Sequence, residues 1–298
     1  MATNMKRTYF PGITDIVVVT DPEEIRTISN DSRFDREFTA HGPIRNLQIL
    51  RKMFRIFSFN GRIIPFFLPR NNSVRAIAQD KLRLSLNAKA EVVKQGPAEL
   101  EPLAEWVRGT GTDDKLGILV QQTLGRLFVE TLTATQESVA AAGTVLEASD
   151  SSNVLKMLWW RISGKLERAK NLINSMVNGD LVGSVAMITA RQFLDDGLHR
   201  MRELAADPAI RASITMDAVI EQCLLAPPTT LRQATTSGEV GGCPFKKGAL
   251  FILGLRTASK GAANRDIVFL SQSWSHCPAE KWVTGLLEGI WTRSVKIR

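Results

Sequence analysis

Between Ser73 and Leu225, apolar residues recur at helical spacing in one segment after another, separated only by short polar or glycine-bearing breaks. Runs that read as strands are confined to the two ends. This distribution restricts the chain to a mainly α fold with small β-sheets, because each helix buries one stripe and needs other helices to bury it against. Ser73 is placed to cap a helix running through Lys94, which Gly96-Pro97 ends, and Ala98 to Val107 reads as the next. Asp113 to Thr131 carries Leu116, Leu119, Val120, Leu124, Leu127 and Phe128 at helical period, and Ser138 to Ala148 is Ala-rich and helical. Ser151 to Gly164 sets Val154, Leu155, Leu158, Trp159 and Ile162 on one face. The Trp159-Trp160 pair is expected in the core, with a membrane interface as the alternative.

Leu166 to Leu204 reads as one long helical stretch with Gly179, Gly183 and Gly197 inside it, where missing side chains permit close approach by a neighbour or a flat ligand. Met216 to Leu225 is a further helix, stopped by Pro227-Pro228. At the N-terminal end, Asp15 to Thr20 is a β-branched strand candidate. Asp21-Pro22-Glu23-Glu24 then opens a helix, with a capping carboxylate, a first-turn proline and acids suited to the dipole. At the other end, glycines punctuate a short strand at Ala249 to Leu253, and Glu280 to Trp291 is amphipathic.

The 298 residues are enough for one large domain or two modest ones, and 44% hydrophobic with 23% charged describes an ordinary globular protein rather than a disordered chain. No apolar run approaches the roughly 20 residues that span a bilayer. Met1 to Arg7 is followed by no apolar core, so no secretory signal is expected and a cytoplasmic location is the default. Three widely spaced cysteines and three histidines (His41, His199, His276) argue against a disulfide framework or a multi-histidine metal site. The net charge of +8 concentrates between Arg45 and Lys94, interleaved with Phe54, Phe57, Phe59, Phe66 and Phe67. Solvated arginines over buried phenylalanines are expected there; the alternatives are an anionic cofactor neutralised by the arginines, or peripheral membrane contact. No nucleic-acid motif accompanies the charge, and no nucleic-acid partner is expected.

Cys277, in Ser273-Trp274-Ser275-His276-Cys277-Pro278, sits between a polar loop and a helix. A helix N-terminus favours a thiolate there. The residues alone leave three meanings open: an axial ligand to haem iron, a nucleophile with His276 as base, or a buried inert thiol.

Four segments, in order, resemble the cytochrome P450 superfamily. They are Val17 to Ile25 followed by Ser32-Arg33-Phe34-Asp35; Glu221 to Pro228 followed by Arg232; the hairpin Gly241-Gly242-Cys243-Pro244-Phe245-Lys246-Lys247-Gly248; and His276-Cys277-Pro278 with its helix. The resemblance implies a truncated cytochrome P450-like fold, a single domain over 1–298 whose haem-binding elements lie mostly in 216–298. It further implies haem b (iron protoporphyrin IX) with Cys277 as axial ligand, Arg232 and His276 at a propionate, and Trp274 against the porphyrin. The implied activity is haem-thiolate oxidation of a small hydrophobic substrate, with a redox partner protein docking on a basic surface of Arg256, Lys260, Arg265 and Lys281.

The chain departs from the family at several positions. The Glu-x-x-Arg motif reads Glu221-x-x-Leu224, which predicts a buried glutamate in need of another donor. Ser273 and Ala279 stand where the haem loop has glycine, and Ser275 where it has a basic residue. No acid precedes Thr189, the threonine available for oxygen activation. Within the family chemistry two branches follow, a monooxygenase using a redox partner and a peroxide-driven or rearranging enzyme, and the missing acid before Thr189 leans toward the second. The alternative, to which the lost arginine and glycines point, is a non-catalytic relative acting as a ligand-binding or partner subunit with Met53 to Arg70 as its surface.

Overall fold

The computed structural model describes residues 5–38, 42–151, 153–259 and 265–295, so His41 and Lys260 lie outside the described residues. Strands β1 (Met5–Phe10) and β2 (Thr14–Val19) lead into α1 (Pro22–Asn30), β3 (Phe34–Asp35), α2 (Ile44–Ile56), β4 (Ser58–Phe59) and β5 (Arg62–Ile63). The helical middle follows as α3 (Ser73–Lys94), α4 (Glu101–Val107), α5 (Asp113–Gly125), α6 (Gln136–Asp150), α7 (Val154–Ile162) and α8 (Lys165–Met176). It continues through α9 (Leu181–Val185), α10 (Arg191–Ala206), α11 (Pro208–Ser213) and α12 (Met216–Cys223). The last part holds β6 (Thr230–Ala234), β7 (Gly238–Val240), β8 (Cys243–Phe245), β9 (Leu250–Leu253), α13 (Leu255–Ala258), α14 (Arg265–Phe269) and α15 (Glu280–Val295). The fold is mainly α with small sheets, as the periodicity requires.

Two compact units divide the chain: Met1–Phe54, Pro65–Ser85 and Leu225–Glu280 form the first, and Arg55–Ile64, Leu86–Leu224 and Lys281–Arg298 the second. The first unit is organised by a five-stranded sheet of order β1-β2-β9-β6-β3, in which β2 runs parallel to β9 and β6 antiparallel to it. In β2 the alternation is visible: Val17 and Val19 are buried while Val18 faces out. Central β9 buries Leu250, Phe251 and Leu253, as a strand covered on both faces must. Phe34 meets Phe251 edge-on at 4.6 Å, and burying such a ring contributes about 2–3 kcal/mol. Asp21 accepts from the N–H groups of Glu23 and Glu24, so the expected α1 cap forms. The β7–β8 turn puts Gly241 and Gly242 at φ +53° and +76°, the left-handed pair that a two-residue hairpin demands.

In the second unit and at the start of α3 several expectations need correction. α3 starts where foreseen, but Asn72, not Ser73, receives the N–H groups of Val74 and Arg75. α5 stops at Gly125, because tight turns from Gly125 take up Phe128 and Val129. The stretch Leu166 to Leu204 is not one helix: Asn178 and Gly179 at positive φ break it, and Asp180 caps a new start at the N–H of Gly183. A Cβ on Gly197 would lie 2.3 Å from the Cys223 carbonyl, and one on Gly183 2.9 Å from Phe128. Both glycines therefore admit protein neighbours, not a flat ligand. Trp160 is buried, yet Trp159 is exposed, contrary to the expectation for the pair. Glu221 also lies exposed on α12, whose buried face is Val219, Ile220 and Cys223, so no buried carboxylate needs the missing arginine. Among the described residues no helix is long and apolar enough to cross a membrane.

Candidate functional site

The Cys277 loop belongs to the first unit and is built by hydroxyls rather than glycines. Leu270 takes φ +50°, and backbone bonds run from Ser273 N–H to Leu270 and from Cys277 N–H to Phe269. Ser273 Oγ lies 3.0 Å from Ser275 Oγ and accepts the Ser275 N–H at 3.2 Å. These bonds hold the turn that glycine's conformational freedom serves elsewhere. Gln79 Nε2 donates to the His276 carbonyl at 2.9 Å, and Arg75 Nη2 to the Trp274 carbonyl at 3.3 Å. The loop is thus fixed by its own serines and by the first turns of α3.

Trp274 lies among cations. The guanidinium carbons of Arg75, Arg70, Arg232 and Arg36 stand 4.3, 5.1, 5.1 and 5.6 Å from its ring centroid. Such contacts attract when desolvated, but they do not discharge the cations. Asp35 is the carboxylate within this group, and it accepts backbone N–H bonds from Arg36 at 2.6 Å and Arg70 at 2.9 Å. Arg232, on β6, is 0% exposed. It bonds the Leu231 carbonyl at 2.8 Å and Ser275 Oγ. Burial and the neighbouring Arg36 and Arg75 push its pKa well down, with Arg70 acting the same way and Asp35 opposing. Burial and Arg75 lower Arg36 to about 10, and burial lowers Arg75.

Four guanidiniums face Asp35, with Asp31 near Arg70 already paired to Arg33, and burial penalises such an excess of one sign. The Nε atoms of Arg232, Arg75 and Arg70 and the indole Nε1 of Trp274 are buried and lack a hydrogen-bond partner among the described residues. Four orphaned donors beside excess positive charge fit an anion with several acceptor oxygens.

Cys277 is half-buried. Burial raises its thiol pKa, with the backbone N–H of Ala279 and Arg36 opposing and Glu280 reinforcing. Desolvation therefore outweighs the helix-start effect expected for a thiolate. His276 turns away from the cations: its Nε2 lies 2.7 Å from Glu280 Oε2, which also accepts from Ser271 Oγ at 2.9 Å. A thiol whose pKa is raised by burial, with no hydrogen bond to the His276 imidazole among the described residues, lacks the activation a cysteine nucleophile needs.

Of the four residues singled out in the sequence, Arg232 and Trp274 come together around the loop that ends in Cys277, whereas His276 is engaged elsewhere. Arg36, Arg70, Arg75 and Asp35 were missed as a group. The expectation of solvated arginines fails for Arg75, which is buried, while Phe59 is buried as expected. Proximity of Arg70 and Arg75 to the Asn71-Asn72 helix start was the available signal, since a helix entry fixes where its first side chains point. For the proposed basic docking surface, Arg265 and Lys281 are exposed, but Arg256 donates to the Ala226 carbonyl at 3.1 Å.

In the second unit, the five residues Ala186–Ala190 between α9 and α10 form a π-helical turn. Thr189 lies in this turn and its hydroxyl donates to the Val185 carbonyl at 2.9 Å. Wide turns of this kind are frequent at functional sites. Farther along α10, Arg191 Nη1 meets Asp195 at 2.5 Å. Burial nonetheless raises the Asp195 pKa to about 6, with Arg191 opposing and Asp196 adding to the rise.

No protein-family model and no curated protein matches the chain. Solved structures do. The cytochrome P450 enzyme CxnD for C–S bond formation in chuangxinmycin biosynthesis is similar with a TM-score of 0.60 at 11% identity, over 94% of this chain and 79% of that one. A six-coordinated cytochrome P450 from Thermus thermophilus is similar at 0.56 and 14%, over 94% and 83%. P450BioI, solved with an acyl carrier protein carrying hexadec-9Z-enoic acid, is similar at 0.56 and 14%, over 98% and 87%. The chain has a cytochrome P450-like fold.

Proposed function

We propose that this protein is a haem-thiolate oxidoreductase, in which Cys277 would ligate the haem iron and Arg232, Arg36, Arg70 and Arg75 would hold the porphyrin's carboxylates. The observation that carries this reading is the buried arginine cluster with its orphaned donors. Haem b offers the two carboxylates that such a cluster fits, and a flat face for Trp274 to pack beside. Haem held by the Cys277 thiolate would relay oxidising equivalents from peroxide or dioxygen to the substrate, the thiolate's electron donation favouring O–O cleavage. In the protein, Asp35 fixes the backbone of Arg36 and Arg70, and Ser275 fixes Arg232. His276 takes a positioning role through Glu280 at the start of α15, in place of the propionate contact that the resemblance implies.

The chemistry proposed is peroxide-driven or rearranging oxidation of a small hydrophobic substrate. What supports it is the helix around Thr189: Ile188 stands where an acid would precede the threonine, and the hydroxyl is engaged by Val185. A proton relay from bulk water therefore lacks its acidic member, and peroxide arrives already reduced. A redox partner protein belongs to the monooxygenase branch, and Arg265 and Lys281 are its candidate contacts. The non-catalytic alternative would share the anion site but turn over nothing.

The test is the absorption spectrum of haem-loaded protein and of its ferrous carbon-monoxide complex. The expected result is the red-shifted Soret band of thiolate ligation, lost in Cys277→Ala. Failure to take up haem would overturn the reading. Turnover with peroxide, unchanged within about twofold in Thr189→Ala, supports the relay-independent branch, whereas strict dependence on a reductase contradicts it.

A further inference from the structure

A surface helix of a globular protein normally turns its apolar stripe inward, and α7 does the reverse. Leu155, Leu158, Trp159 and Ile162 are 78%, 49%, 66% and 72% exposed. At about 100° per residue they fall within an arc of about 100°. Trp160 points the opposite way, is 3% exposed, and joins the core of the second unit with Leu166 and Ile173. The helix is therefore anchored by one tryptophan and displays the other.

Charge borders the displayed arc. Lys156 follows one edge and Arg161 the other, and Arg161, Lys165 and Arg168 are all exposed. Two acidic neighbours are exposed but paired. Glu147 pairs with Lys156, and Glu167 with the buried Lys170, which also donates to the Arg55 carbonyl at 2.9 Å. What the helix presents outward is a leucine, isoleucine and tryptophan ridge whose positive rim lies on the Arg161 side with Lys165 and Arg168, since Glu147 offsets Lys156.

We infer that α7 is a membrane-surface helix that docks the protein on anionic lipid. The ridge is convex and short, so it fits the soft boundary between headgroups and acyl chains. Trp159 sits where an indole favours that boundary, and the rim meets lipid phosphates and carboxylates. A second copy of this chain is the wrong occupant, because it would set the cations of one rim against those of the other. The docking is peripheral, since no described helix is long and apolar enough to span. It also moves the membrane contact away from the phenylalanine-rich segment, where Phe59 is buried.

The experiment is co-sedimentation of the full chain with phosphatidylcholine vesicles, with and without phosphatidylserine. Each basic residue near an anionic surface contributes about fivefold in partitioning, so binding to serine-containing vesicles is expected to be about tenfold tighter or more. Trp159→Gln with Ile162→Gln abolishes binding to both. Arg161→Gln with Lys165→Gln and Arg168→Gln removes the difference between them. None of the five positions is in the core, and unchanged thermal unfolding of both variants checks that each still folds. The inference is overturned if wild type sediments with neither vesicle, or if the Trp159/Ile162 variant binds as wild type does. Self-association without vesicles that this variant abolishes would also overturn it, assigning the ridge to a second copy.

Discussion

Around Trp274 four arginines share the carboxylate of Asp35, whereas in α10 Arg191 and Asp195 face each other one to one. Both regions desolvate charge, but only the first leaves an excess of one sign together with a row of unused donors. The paired region balances its own charge, although Arg191 Nε and Asp195 Oδ1 are buried without a hydrogen-bond partner among the described residues. The unbalanced region gains from a ligand of opposite sign, so its residues should trade folding stability for binding. The comparison separates charge that serves the fold from charge that serves a site.

The largest effect expected from breaking it is in α10. Arg191→Met leaves the Asp195 carboxylate buried without its partner and should cost roughly 3–5 kcal/mol at pH 8, read from urea unfolding. Arg232→Met should act in the opposite direction on stability, leaving the ligand-free protein as stable as wild type or more so, because one of four crowded cations is gone. Haem affinity of the same variant should fall about 10- to 100-fold, the effect of a charge-assisted hydrogen bond on binding. Parallel losses of stability in both variants would erase the distinction.

A pH series sharpens the contrast. Asp195 titrates near 6 in the folded protein, above an ordinary carboxylate. The folded state therefore holds the proton more tightly than the unfolded state. Stability from this group is full below about pH 4, declines as pH rises through 6, and is level beyond, a change of roughly 3 kcal/mol. Asp195→Asn should flatten that slope when unfolding is followed from pH 4 to 8. The smallest effect belongs to Ser275→Ala: Arg232 loses one neutral partner, and stability should change by about 1 kcal/mol or less.

Local signals were legible in the sequence where the physics is local. Asp21-Pro22 gave the start of α1, the Gly241-Gly242 pair gave the hairpin, and helical period gave the mainly α class. Arg232, Trp274 and Cys277 could be picked out because their segments keep a familiar order. Burial of Arg75 could not, since the enclosing residues Asp35, Arg36 and Trp274 come from distant parts of the chain. The same holds for Trp159 and Trp160, adjacent residues about 100° apart on one helix, whose fates depend on which side packs. Glu221 shows the converse: a motif position expected to be buried lies exposed once its partner is leucine.

The central claim is that the buried arginines hold carboxylates, and it is tested most directly by comparing the affinity for haem with that for its dimethyl ester. Wild type should bind haem at least about tenfold more tightly than the uncharged ester, and Arg232→Met should remove most of that preference. Equal affinity of wild type for the two would contradict the account.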